Sequence, residues 1–350
     1  MRIRLACPAA AALWLAGVAA PLSAQTTVTV GGRFNTQFNT TSAQGQPWSE
    51  FLIRRARVDV TVTVSDFVSG FVQPEFAGDR AYLRVAYARL DFGPALYAMI
   101  GQYKRPFDLF TLTSSLDILA IERTGDLRGV DTCAGVGGLC SYGRFMEQLE
   151  LSPPDIGVIL GGGDRAKRIT YAVSVMNGAG SNVPDENGAK SFSGRLVISP
   201  APDVHLAANV AAHDYVSVAT GATEYASAAG GDLEIGNFHR GFHLQAGFVA
   251  GDNWRNPVAG ESTTFVTGQA IVTYKFRLPP SPYAEALEPL VRVSVGNPST
   301  ATSQDGGLLL TPGVVWYITG RNKLAANVDV WQPQQGAAEW GLKVQSYLSF

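Results

Sequence analysis

Along most of the chain, apolar and polar residues take turns. In the segment TTVTVGGRFNTQFN, Val28, Val30, Gly32, Phe34 and Phe38 fall on one side of the alternation, with Thr27, Thr29, Gly31, Arg33, Asn35, Gln37 and Asn39 on the other. The last residues repeat the pattern, with Trp340, Leu342, Val344, Leu348 and Phe350 opposite Gly341, Lys343, Gln345, Tyr347 and Ser349. A period of two puts successive side chains on opposite faces of a strand, so each segment predicts a strand with one apolar face. Helical periodicity is scarce after residue 25.

Two architectures use such strands: a soluble β-sandwich with apolar faces inward, and a membrane barrel with apolar faces outward. Many of the segments run about 10 to 14 residues, enough to cross a bilayer at a tilt and longer than most soluble strands. Tight connections such as Ser65-Asp66, Asp91 to Pro94 and Thr319 to Asn322 contrast with long, glycine- or asparagine-rich ones, as the two rims of a membrane barrel require. The expected fold is therefore an all-β transmembrane antiparallel barrel. Its strands are predicted near 27–40, 51–65, 68–78, 81–92, 95–103, 155–163, 168–178, 190–199, 203–215, 223–234, 239–250, 262–276, 286–296, 307–318, 322–333 and 338–350. Sixteen is even, which places both ends on the periplasmic side. Strand 223–234 alternates poorly and is included because loop parity requires it. The turn FRLPPSPYAEA is long for the periplasmic rim.

Composition narrows the class further. The 350 residues are 46% apolar and 16% charged with a net charge of -2, unlike a nucleic-acid-binding or disordered chain. No stretch after the leader reaches the roughly 18 to 20 apolar residues of a spanning helix. The first 24 residues carry Arg2 and Arg4, an apolar run and the small-residue site Ser23-Ala24, which reads as a secretory signal peptide cut after Ala24. The barrel domain is then 25–350. In an oxidising compartment Cys133 and Cys140, in CAGVGGLC, can close a structural disulfide, and no further zinc ligands lie near them. No cofactor or metal is expected.

One connection, about fifty residues from Gly101-Gln102 to Asp155, is too long for an ordinary loop. Its start, GQYKRPFDLFTLTSSLDILAIERT, together with Phe51 to Arg57, Ala86-Tyr87, Asp155 to Val158, Asn177-Gly178, Gly194 to Leu196, Glu288 with Arg292, and Trp316-Tyr317, resembles the phosphate-selective porins O and P. The resemblance implies a sixteen-stranded trimeric channel in the Gram-negative outer membrane whose third outer loop, here 104–154, folds inward and narrows the pore. It also implies lumenal Arg and Lys that draw anions through. The partners it implies are outer-membrane lipid and lipopolysaccharide, the barrel-assembly machinery, two further copies of the chain and small anions, with no nucleic acid. Phe350 matches the C-terminal aromatic signature of such barrels. The chain departs from the pattern at Phe110 and Thr111, where relatives often carry acids, at Val85, and in lacking the usual Leu-Thr-Gly-Glu of the twelfth strand.

Projecting the alternation puts Arg33, Arg55, Arg57, Arg84, Arg195, Lys275, Arg292, Lys323 and Lys343 in the lumen, against Asp59, Glu75, Glu288 and Asp329. With Lys104, Arg105 and Arg123 of the long loop, Arg33, Arg55, Arg57, Arg84, Arg195 and Arg292 are the candidate pore-lining cations. A charged ring in a low-dielectric wall concentrates counter-ions, and the guanidinium fork suits phosphate. The same charges can instead be paired for stability, as Arg57 with Asp59 or Arg292 with Glu288. The loop itself is mixed, with Lys104, Arg105, Arg123 and Arg128 beside Asp108, Asp117, Glu122, Asp126 and Asp131. Leu109, Phe110, Leu112, Leu116, Ile118, Leu119 and Ile121 are expected to anchor it on the wall. Leu52, Ala56, Val58, Val60, Val62 and Val64 are expected to face lipid, leaving Arg54 on the outer face near the rim.

The four histidines, His205, His213, His239 and His243, suggest no catalytic site. The chain is too short for a plugged barrel of about 22 strands. The expected function is a water-filled anion channel for phosphate- or polyphosphate-like solutes, with a nonspecific diffusion porin as the alternative.

Overall fold

The computed structural model describes residues 26–43, 48–127, 130–133, 136–163, 168–258 and 261–350; residues 1–24, expected to be a signal peptide, and Arg128 lie outside them. Sixteen strands form among these residues. They are β1 (Thr27–Thr41), β2 (Trp48–Thr63), β3 (Val68–Glu75), β4 (Tyr82–Asp91), β5 (Tyr97–Lys104), β6 (Pro154–Gly162), β7 (Ile169–Met176) and β8 (Ser191–Ala201). There follow β9 (Val204–Val216), β10 (Thr223–Asn237), β11 (Arg240–Val258), β12 (Glu261–Arg277), β13 (Ala286–Asn297), β14 (Gly307–Thr319), β15 (Asn322–Pro333) and β16 (Glu339–Ser349). Each pairs antiparallel with its sequence neighbours, and β1 pairs with β16 to close the barrel. The poorly alternating segment is a full strand, β10, in register with both β9 and β11.

Closure is tight at the seam. The Gly32 N–H donates to the Phe350 carbonyl at 3.0 Å and the Phe350 N–H returns to the Gly32 carbonyl at 3.2 Å. A Cβ on Gly32 would meet the Phe350 ring at 2.5 Å, so only glycine lets that ring lie across the first strand.

Outside, the predicted apolar faces are exposed: Val30, Val210, Phe248, Val293 and Val295 each leave about half of their surface uncovered. A belt of this extent is the surface a bilayer covers, since an aqueous protein would bury it. Rim asymmetry is weaker than the sequence suggests. Long outer connections occur at 105–153, 177–190 and 298–306, whereas β11 and β12 remain paired out to Val258 and Glu261, so a ribbon of strand replaces a loop there.

Inside, the 105–153 segment folds into the lumen and carries two short helices, α1 (Leu109–Leu112) and α2 (Tyr142–Gln148). Asp108 caps α1 by accepting from the Thr111 N–H at 2.9 Å, and Ser141 caps α2 through the Arg144 N–H at 3.3 Å. Apolar residues hold the segment to the far wall. Phe110, Leu119 and Phe145 pack with Val249, Phe265 and Ile271, while Ala120 and Ile121 pack against Leu290, Val315 and Tyr347. The inner faces of β11 to β16 are therefore partly apolar because protein, and not water, covers them.

Candidate functional site

The constriction forms where residues 112–123 of the inward segment cross to β1 and β2. Asn35 pairs with Arg55 and Thr36 with Ile53, so Arg54 has no partner on β1. This is a β-bulge, and it reverses the side-chain phase. Phe51 and Ile53 therefore face lipid, Leu52 lies opposite lumenal Gln37, and Arg54 and Arg55 both turn inward. The expectation that Arg54 and Leu52 face the membrane is corrected on this ground. A second bulge sits on β4, where Gln73 pairs with Val85 and Pro74 with Leu83, leaving Arg84 unpaired. Strict alternation would group Arg84 with Ala86 and Ala88 on the lipid side; the bulge, at a proline as such irregularities often are, brings it in beside Arg55 and Glu75. Arg84 is thus lumenal through the bulge, and the strict alternation from which its lumenal position is projected would instead place it toward lipid.

Glu122 is the partner that the sequence did not single out. Its Oε2 accepts from Arg54 Nη2 at 2.7 Å and Arg55 Nη2 at 3.0 Å, while its carbonyl accepts from Arg292 Nη1 at 2.8 Å. It does so at φ 61°, a conformation that costs a non-glycine residue on the order of 1 kcal/mol. Burial raises its carboxyl pKa, but Arg54 and Arg55, helped by Lys343, outweigh that and hold it below the usual carboxylate range.

The other wall arginines are paired as well. Arg33 binds Asp59 at 2.6 Å and Arg57 binds Glu75 at 2.5 Å, and both donate to the Ser115 hydroxyl of the inward segment. Arg57 does not pair with Asp59, nor Arg292 with Glu288. Arg292 meets Asp329 at 2.8 Å, and Lys343 holds the other Asp329 oxygen at 2.7 Å. Arg105 and Arg292, expected to line the pore, are instead 1% exposed, because they bind the base and the tip of the segment. Arg105 joins Asp155 at 2.6 Å and the Glu150 carbonyl at 2.8 Å. Arg195 chelates Asp232 deeper in the lumen.

Three cations differ. Among the described residues no carboxylate lies within ion-pair distance of Arg84, Lys104 or Arg123. Lys104 points at the carbonyls of Thr111, Leu112 and Thr113, and Arg123 at those of Phe110 and Thr113. Burial, with Arg55 and Arg84 nearby, presses the Arg123 guanidinium down to about 9. It stays charged at neutral pH, in a field that a passing anion relieves.

The lumen is less one-sided than alternation implied. Asp155, Asp232 and Glu234 also face inward on β6 and β10. The signs are separated in space, however. A cavity of about 450 Å³ opens beneath α1 toward the short turns, with Asp117, Asp232 and Glu234 in its lining beside Arg195, His205 and Tyr97. The histidines are dispersed, with His205 on Ser199, His213 on Ser191 and His243 on Glu234. Cys133 and Cys140 lie 6.2 Å apart at Cα and are joined, buried against Leu309 and Trp331.

The model of the phosphate-selective porin O and P family matches residues 28–234. No curated protein matches the sequence. Among solved structures, the chain is similar to the outer membrane channel DcaP of Acinetobacter baumannii, with TM-score 0.65 and 13% identity over 93% of this chain and 98% of that one. It is also similar to the trimer form of OmpT of Vibrio cholerae (0.58, 13%, 92% and 99%) and to Salmonella typhi OmpF in complex with daunomycin (0.58, 11%, 92% and 97%). These likenesses establish the shared barrel. The closed sixteen-strand barrel with its apolar belt and inward segment, together with the family match, supports an outer-membrane channel. The family match covers more than half of the chain, and the protein belongs to the phosphate-selective porin O and P family.

Proposed function

We propose that the channel conducts small anions in preference to cations, phosphate and polyphosphate-like solutes among them. The observation that carries this reading is the trio Arg84, Lys104 and Arg123, which has no carboxylate partner where the pore is narrowed, while Asp59, Glu75 and Glu122 are engaged by Arg33, Arg54, Arg55 and Arg57. In a low-dielectric wall, cations left in excess concentrate counter-ions and reject co-ions. Arg33, Arg55, Arg57 and Arg195 contribute charge to the lumen with their partners attached, and Arg105 and Arg292 hold the inward segment. Titrating inorganic phosphate into potassium chloride across a planar bilayer tests the reading: phosphate entering the constriction reduces chloride current in a saturable way, whereas a nonspecific porin shows no such competition.

The assembly proposed is a homotrimer, supported by the trimer form of the OmpT neighbour. Export through a signal peptide at 1–24, recognition of Phe350 by the assembly machinery, and contact with lipid and lipopolysaccharide complete the proposal. Cross-linking of outer membranes, read as a band of three copies, tests the assembly.

A further inference from the structure

The lumenal wall of β3, β4 and β5 carries a stripe of aromatic rings below the cationic trio. Phe71 and Tyr87 lie 5.9 Å apart between ring centres, and Tyr87 meets Tyr103 edge-on at 5.3 Å. Gly101, opposite Tyr87 in the register, places no side chain between the last two. Toward the periplasmic rim Tyr97 follows, with the Arg89 guanidinium 4.0 Å from its ring centre and Asp91 bound to that arginine. The four rings are only half-buried, and three of them roof Met99, Ile159 and Met176, which are 6% exposed or less. Their register puts them on the lumenal side of the wall.

Aromatic rings that keep part of their surface open to a water-filled lumen are costlier there than polar side chains, and an apolar solute that covers them relieves the cost. The stripe has a cationic end at Arg84, Lys104 and Arg123. At its other end Tyr97 opens into the 450 Å³ cavity, where Leu112 adds apolar surface and Arg195 is held by Asp232. Asp232 is neutralised by Arg195 and Asp117 lies 3.4 Å from Arg321, so Glu234 is the acid in this lining that most disfavours a multiply charged solute. One charge and a flat apolar body fit this surface better than inorganic phosphate does.

We propose that this wall is a binding track for organic monoanions with an aromatic body, arylcarboxylates being the simplest class. The carboxylate enters through the cationic trio and the ring then steps along Tyr103, Tyr87 and Phe71 to the cavity at Tyr97, by offset or edge-on contacts of the kind the rings already make with one another. The inference rests on the anion-selective reading of the constriction.

Sodium benzoate and sodium acetate share a headgroup and differ in the ring. Titrated against chloride current through the full-length channel in planar bilayers, benzoate half-blocks at a concentration about tenfold below acetate. The double variant Tyr87→Leu/Tyr103→Leu keeps an apolar roof over Met99 and brings the two half-blocking concentrations together, with the chloride preference in a potassium chloride gradient unchanged. Equal block by the two anions in the wild type, with chloride preference retained, overturns the track and leaves the anion reading standing. Undiminished benzoate preference in the double variant overturns the assignment to these rings. A potassium-favouring reversal potential in the wild type overturns the anion reading and the track with it. The wild-type comparison decides the matter even where the variant does not insert.

Discussion

Arg54 and Arg55 are neighbours in one strand, yet both donate to the same oxygen of Glu122, at 2.7 and 3.0 Å. In a regular strand one of them would face lipid. The bulge at Arg54 allows both to converge, and their convergence fixes where the inward segment crosses the pore. Glu122→Gln keeps an acceptor oxygen but removes the shared negative charge, leaving two guanidinium groups uncompensated in the lumen. The variant channel is expected to be more strongly anion-selective, while docking of the segment weakens by about 3 kcal/mol or more, as when one side of a buried pair is lost. Reversal potential reads the first effect, and open-channel current noise with protease sensitivity of the segment reads the second.

The wall arginines divide by partner, and so should their variants. Arg84→Gln removes an unpaired lumenal cation and lowers the anion-to-cation permeability ratio severalfold without changing assembly. Arg105→Gln leaves Asp155 buried at 0% exposure without its cation, so its cost falls on docking of the segment. The check is a side-by-side comparison of selectivity and of protease cleavage within 105–153; equal selectivity losses would contradict the division.

Much of the fold is legible in the alternation, because a bilayer outside and water inside demand the same period of two from every strand. The phase slips were legible too, and alternation read as unbroken passes over them. Phe51 and Ile53 are odd-numbered lipid residues while Ala56, Val58 and Val60 are even-numbered, so one residue between them must bulge; Leu83 against Ala86 and Ala88 carries the same signal, and Pro74 marks its site. The pairing of the charges is another matter. Arg57 with Glu75 joins adjacent strands and follows once register is known, whereas Glu122 with Arg54 and Arg292 depends on the path of a fifty-residue segment for which no periodicity speaks.

Acidity acts on the segment in opposite directions at two carboxylates. Burial of Asp126 outweighs its contact with Arg144, 2.9 Å away, and pushes its carboxyl up to about 7. A raised carboxyl means that the docked state holds a proton that the undocked state has released, so docking weakens as pH rises from about 4 to about 7 and bears the full penalty above that. Glu122 is shifted the other way; its contribution is complete above the ordinary carboxylate value and is lost progressively as pH falls from there through its depressed one. Protease cleavage of the segment should accelerate between pH 5 and about 7.5, and Asp126→Asn should flatten that rise.

The disulfide closes a small ring packed on Trp331, with the Cys133 N–H donating to Glu339 at 2.8 Å. Replacing both cysteines by serine should loosen this part of the segment by about 2 to 3 kcal/mol, the chain-entropy value for a loop of this size. The barrel itself, held by its own ladder, should keep its thermal midpoint. Hydrogen exchange at 130–141 compared with the strands checks both halves of the expectation.

The central claim is that unpaired cations at the constriction set the charge preference of the pore. The reversal potential of the wild-type channel in a planar bilayer under a potassium chloride gradient tests it most directly. The account predicts a potential displaced toward the chloride equilibrium value; a potential at zero or displaced toward that of potassium contradicts it.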